Sequence, residues 1–89
     1  MFESKTYKAA NGHTIEANIL GRDFGSEGVM YSVVARLLDS DGREVAIDGT
    51  TGFGPTRVAD ARKARTERVR RLRKLVAFPG ATTATSAAP

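Results

Sequence analysis

A chain of 89 residues, 40% hydrophobic and 27% charged, forms one small domain near the lower limit at which a single core is stable. It has no cysteine, which excludes disulfides and thiolate metal sites, and no apolar run approaches the roughly 20 residues of a membrane-spanning helix. The formal charge of +4 is unevenly spread: residues 57–74 carry nine Lys/Arg against Asp60 and Glu67, and the rest of the chain carries five against eight acids.

A cationic segment on a mildly acidic body points to an anionic partner. Arginine outnumbers lysine ten to four, a ratio that codon bias alone would also produce. The opening Met1-Phe2-Glu3-Ser4-Lys5 has no apolar run of the signal-peptide kind. The expectation is a soluble, cytoplasmic protein.

The first element is a hairpin spanning Lys5 to Leu20, with Asn11-Gly12 as its turn signal. A three-residue loop, Ala10-Asn11-Gly12, pairs Ala9 with His13, Tyr7 with Ile15 and Lys5 with Ala17. That register gathers Tyr7, Ala9, Ile15, Ala17 and Ile19 on one face and puts Gly12 at the left-handed position of a G1 bulge. A one-residue slip would send the whole set into water. Gly21 to Gly28, with three glycines in eight residues, reads as a flexible connection.

Val29 to Leu38 is a β-branched and aromatic strand. Asp39-Ser40-Asp41-Gly42 turns it and Arg43 to Asp48 returns. The same arithmetic pairs Asp39 with Arg43, Leu37 with Val45 and Ala35 with Ile47. Tyr31, Val33, Ala35, Leu37, Val45 and Ile47 then face inward. Met30, Val34, Leu38 and Ala46 face outward, and they make that side more apolar than a bare antiparallel face normally is. It is a candidate interface, for a homodimer or another protein.

Gly49 to Pro55 is a glycine-rich loop, with Thr56 as the expected N-cap. From Arg57 the apolar period becomes helical: Val58, Ala61, Val69, Leu72 and Val76 recur at three- and four-residue steps. Twenty residues give a rod of roughly 30 Å. Phe78-Pro79-Gly80 stops it, and residues 79–89 read as a disordered tail. The predicted fold is α+β: a four-stranded antiparallel sheet of two β-hairpins under one long C-terminal helix, in two layers, within residues 1–78.

At about 100° per residue, Arg62, Arg73, Thr66, Ala59, Arg70, Lys63 and Lys74 fall on one arc of the helix with no acid between them. Such a row suits contact with phosphates and gives affinity without sequence reading; the alternative is a solvated basic face. Arg65 and Arg68 interrupt the apolar stripe. The favoured reading lays their methylenes on the sheet with the charge brought out at an edge. The alternative pairs them with acids such as Glu16, Glu44 or Asp48, or with the carboxylates of a partner.

The loop before the helix could add anion donors from Thr50, Thr51, Thr56 and Arg57, but it lacks the Gly-Lys-Ser/Thr ending of a P-loop. Phe53 could stack on a base; the favoured reading is a plug between sheet and helix. His13 stands alone, without the partners a zinc site requires, and Asp39-Ser40-Asp41-Gly42 lacks the terminal Glu of a calcium loop. No catalytic constellation, metal or cofactor is expected.

The order of strands followed by a basic helix resembles in part the double-stranded-RNA-binding domain, with its glycine turn and alanine/lysine-rich last helix. Its leading helix and its lysine motif have no counterpart here, so no family follows from the likeness. The expected function is nucleic-acid binding through Arg57, Arg62, Lys63, Arg70, Arg73 and Lys74. The alternative is a protein–protein module, a regulator or inhibitor of the kind phage or plasmid genes encode, that docks an acidic partner through the helix or the free sheet face.

Overall fold

The computed structural model describes residues 2–49 and 52–77. Four strands, β1 (Glu3–Lys8), β2 (Thr14–Asp23), β3 (Val29–Leu38) and β4 (Glu44–Gly49), form one antiparallel sheet in the order β1-β2-β3-β4. A single helix, α1 (Val58–Ala77), packs on one face. Alternation decides that face. Ile15, Ala17 and Ile19 of β2 are fully buried, and Tyr31, Val33, Ala35 and Leu37 of β3 are buried beside them.

The first hairpin has the expected register, with Lys5 opposite Ala17 and Tyr7 opposite Ile15. Its turn is built differently. Asn11 (φ 59°) and Gly12 (φ 77°) are both left-handed, as in the primed turns that favour Asn-Gly, and His13 N–H donates to Ala10 O at 3.1 Å. Ala9 N–H also reaches His13 O, at 2.9 Å, so Ala9 and Ala10 together oppose His13. A two-residue turn plus one extra residue gives the same register as a three-residue loop.

The Gly21–Gly28 stretch is a third hairpin and not a flexible connection. β2 continues through it, pairing Gly21 with Tyr31, Arg22 with Met30 and Asp23 with Val29. Asp23 closes the turn by accepting the Gly25 N–H at 2.8 Å, and Phe24 N–H donates to Gly28 O at 2.8 Å. Gly21 serves the strand itself: a Cβ there would lie 3.2 Å from the Tyr31 ring.

The second expected hairpin turns as predicted, with Asp39 N–H on Arg43 O at 2.9 Å and Gly42 left-handed. Asp39 Oδ1 caps the turn by accepting from the N–H groups of Asp41 and Arg43. The register then shifts. Leu38 pairs with Glu44 but Leu37 pairs with Ala46 and Ala35 with Asp48. Val45 is the extra residue of a β-bulge. Beyond it every side chain is reversed from the alternation-based expectation. Val45 and Ile47 are 52% and 59% exposed, and Ala46 packs against the core.

The core is divided. Ile15, Ala17, Ala35, Leu37, Val69 and Leu72 form one cluster, and Ile19, Tyr31, Val33 and Ala61 form the other. Arg65, buried, lies between Ala61 and Val69 on the helix. Ala61 N–H donates to Arg57 O at 3.1 Å, so Arg57 and not Thr56 holds the capping position. Before the helix, Gly54 N–H and Pro55 O bond to Tyr31 O and N–H at 3.0 and 2.8 Å. The loop therefore extends the partnership with β3 before the chain crosses to the helix. Thr50, Thr51, the Phe78-Pro79-Gly80 stop and the tail of residues 79–89 lie outside the described residues.

The bulge makes the two hydrophobic rows separable by mutation. Leu37→Ala should cost about 2–5 kcal/mol in urea unfolding, whereas Ile47→Thr should stay within about 0.5 kcal/mol of the parent. A loss at Ile47 as large as that at Leu37 would contradict the shifted register.

Candidate functional site

From Arg62 to Lys74 every turn of α1 carries cations, and their position around the helix decides what each does. On the β1 flank, Arg62 binds Glu3 through Nη2 at 3.1 Å and Nε at 3.4 Å, and Arg65 Nη1 donates to the same carboxylate. Further along, Arg73 donates to Lys8 O at 3.2 and 3.3 Å. Arg62 and Arg73 are eleven residues apart, about 16.5 Å of helix. Glu3 and Lys8 are five strand residues apart, about 17 Å. The helix therefore runs alongside β1.

On the opposite flank, Asp48 of β4 takes Arg68 Nη1 at 2.9 Å and Arg71 Nε and Nη2 at 2.6 and 3.1 Å. Arg65 and Arg68 are thus ion-paired. Their guanidinium groups do not merely emerge at an edge: their side chains are only 10% and 15% exposed. Arg68 uses one of the expected acids, and Arg65 uses Glu3. The other two expected acids, Glu16 and Glu44, pair with Arg36 on the far side of the sheet, Glu44 at 3.7 Å. Arg65 Nε and Arg68 Nε are buried without a hydrogen-bond partner, a desolvation cost that the ion pairs must offset.

Each flank carboxylate faces two guanidinium groups, so each cluster retains one unit of positive charge. The hydrogen bonds from Arg62 and Arg65 hold the Glu3 carboxyl below its ordinary value of 4.5. Those from Arg71 and Arg68 hold Asp48 below 3.8, against a desolvation that acts the other way. Arg71 is raised in turn, chiefly by Asp48 and in small part by the through-space pull of Glu67.

The crest of the helix is different. Lys63, Arg70 and Lys74 are exposed, and their side chains make no hydrogen bond or ion pair among the described residues; the same holds for the side chain of Arg57 ahead of the helix. The six helix-segment cations singled out by sequence thus separate. Arg62 and Arg73 tie the helix to β1, and the side chains of Arg57, Lys63, Arg70 and Lys74 have no partner among the described residues.

Between crest and sheet a groove of about 280 Å³ is lined by Tyr7, Thr66, Val69, Arg70 and Arg73. The Arg73 guanidinium lies 5.6 Å from the centre of the Tyr7 ring, and the Lys5 ammonium lies 5.4 Å from it. Neither Tyr7 nor Lys5 is conspicuous as a site in the sequence. The hairpin register puts both on the helix side of β1, but only the direction of the helix brings them beneath its cations.

The loop residues contribute less. Phe53 is half-buried, packed edge-to-face on Phe24 with centroids 5.6 Å apart. It lines a second groove of about 260 Å³ with Val33, Pro55, Ala64 and Arg68, in keeping with a plug between sheet and helix. Thr56 is exposed. His13 Nδ1 stands 3.1 Å from Ala10 O and belongs to the turn.

On the outward face Met30, Val34 and Leu38 are half-buried in one row of β3. The bulge adds Ile47 opposite Arg36 and withdraws Ala46 to the core side. No helix among the described residues is long and apolar enough to cross a membrane. No protein-family model matches the chain, and no curated protein or solved structure matches it either.

The lowered carboxylates set an acid limit. A carboxyl whose folded pKa is depressed contributes stability that is complete above its unfolded pKa and is lost as pH falls through the folded value. The melting temperature should therefore hold from pH 7 to about 5 and drop below about 4. Asp48→Asn should melt lower than the parent at pH 7, because Arg68 is left largely buried without its counter-charge. The two melting curves should converge toward pH 2; a constant gap across that range would mean that the carboxylate charge is not what binds the helix.

Proposed function

We propose that this protein is a non-enzymatic nucleic-acid-binding module that engages phosphates with the crest of α1. The observation that carries the reading is the division of labour around the helix. The flank arginines hold the fold together, whereas Lys63, Arg70 and Lys74 stand exposed with no partner among the described residues. They are backed by two clusters that each keep a surplus positive charge, Arg62 and Arg65 on Glu3 and Arg68 and Arg71 on Asp48.

Lys63 to Lys74 spans about 16.5 Å of helix, the length of several phosphates along a strand. A row of this kind binds by releasing condensed counterions and carries no base-edge code.

Triple reversal, Lys63→Glu with Arg70→Glu and Lys74→Glu, should abolish retention on polyanionic resin and on random-sequence DNA and RNA while leaving the melting temperature nearly unchanged. Arg73 is excluded from that set because its bond to Lys8 O is structural. For three phosphate contacts the slope of log affinity against log salt should be about −2 on single strands and about −3 on duplex. Undiminished binding by the triple variant would overturn the reading.

A second reading is favoured by one observation: Leu20, Val45 and Ile47 are exposed at or beside the outward sheet face, where Met30, Val34 and Leu38 also lie. An apolar face of this kind suits a second copy of the chain or another protein, including an acidic one. Sedimentation equilibrium at several concentrations tests the first of these: a mass that rises toward twice the monomer and is restored by Ile47→Glu supports pairing through that face, and a constant monomer mass rules it out.

A further inference from the structure

The groove between β1 and α1 has features that a row of phosphate contacts does not need. It is floored by an aromatic ring, Tyr7, and by an aliphatic side chain, Val69. It is rimmed by the Thr66 hydroxyl and by two guanidinium groups, Arg70 and Arg73. At about 280 Å³ it is at the small end of ligand sites, which run from about 300 to 1,000 Å³. That is room for one planar ring system and not for a whole cofactor.

Thr66 Oγ1 donates to Arg62 O at 3.1 Å, which leaves its lone pairs as the acceptor on the rim. Arg70, on that same rim, belongs to the free crest, so a ring seated in the groove would have its adjoining phosphate directed at Arg70 and Lys74. Lys5 and Arg73 lie over the Tyr7 ring, 5.4 and 5.6 Å from its centroid, so a base stacking on Tyr7 would take a ring face in exchange for the cation that covers it.

We propose that this groove is a base-stacking site for single-stranded nucleic acid, with Tyr7 as its platform, Thr66 as a polar edge and Arg70 and Arg73 as the cations beside the sugar-phosphate. The assignment rests on the phosphate-binding reading above and narrows it. In a duplex the bases are stacked on one another and paired, so their faces cannot enter a recess behind the helix crest; an unpaired base can. An aromatic ring among cations is the arrangement by which single strands are held with little regard to sequence, because every base presents a π-face and the arginines contribute cation–π attraction.

The test compares two oligomers of equal length and charge on the unmodified protein: oligothymidylate, and an abasic strand with the same sugar-phosphate backbone. Oligothymidylate should bind about tenfold or more tightly than the abasic strand, the range given by one stacked base. The chain has two tyrosines and no tryptophan, so stacking on Tyr7 should quench tyrosine emission. The quench should persist in Tyr31→Phe, which leaves Tyr7 as the only emitter.

Tyr7→Leu, checked for folding by its melting curve, should bind the two strands alike. Equal affinity of the parent for both strands, or binding to duplex tighter than to either, would overturn the base site and leave the phosphate row standing. Absence of binding to every strand would remove the phosphate row and the base site together.

Discussion

Glu3 and Asp48 sit on the two edge strands, one on each side of the helix, and each accepts hydrogen bonds from two arginines. This pair of shared carboxylates sets where the helix lies. Among the described residues ten apolar side chains are buried, three of them alanine; this leaves the orientation of the helix weakly determined, because Ala17, Ala35 and Ala61 offer little shape to lock against. Two guanidinium groups on one carboxylate at each flank add directional bonds. They also impose a condition: Arg65 and Arg68 are too buried to remain unless a carboxylate meets each of them.

That condition explains the one reversal in the sheet. Plain alternation through β4 would bury Val45 and Ile47, each worth about 1.5–3 kcal/mol, and would turn Asp48 to the far side. The bulge forgoes that apolar area and turns Asp48 under the helix, where Arg68 and Arg71 meet it, with the small Ala46 fitting beneath the helix. Leaving a largely buried arginine without its partner costs about 3–5 kcal/mol, comparable to the two aliphatic side chains together. Gly49 then falls opposite Val34, where a Cβ would stand 3.1 Å from the valine methyl. The glycine that ends the strand is therefore part of the same solution.

The turn chemistry was legible from residue order, and so was most of the architecture. Asn11-Gly12 and Asp39 to Gly42 announced two hairpins, and the change from two-residue to 3.6-residue periodicity marked the helix near its observed start. Less visible were the features decided by tertiary contacts. A bulge cannot be seen in a run such as Glu44-Val45-Ala46-Ile47, because its cause is the pairing of the next residue, Asp48, with an arginine twenty residues further on. The Gly21–Gly28 stretch looked like a linker because Gly21 breaks the apolar alternation, yet that glycine is where the Tyr31 ring lies against β2. The basic arc was correct as geometry on the helix; which of its members were already engaged depended on β1 lying alongside, and no local pattern encodes that.

The same dependence determines how the charge can be used. A cation tied to a carboxylate or a carbonyl is positioned but partly spent, and a free cation on a crest is available but loosely held. Here the two kinds alternate along the helix, so Arg73, held by Lys8 O and lying over Tyr7, is a positioned neighbour to Arg70, whose side chain has no partner among the described residues. A fixed cation loses little further side-chain entropy when an anion arrives, whereas the free ones adapt to the spacing of the strand they meet. Affinity from the crest and placement from the groove would then come from different residues. Substitutions on the crest would act mainly through the salt-dependent part of binding, and those at Tyr7 through the part that salt does not screen.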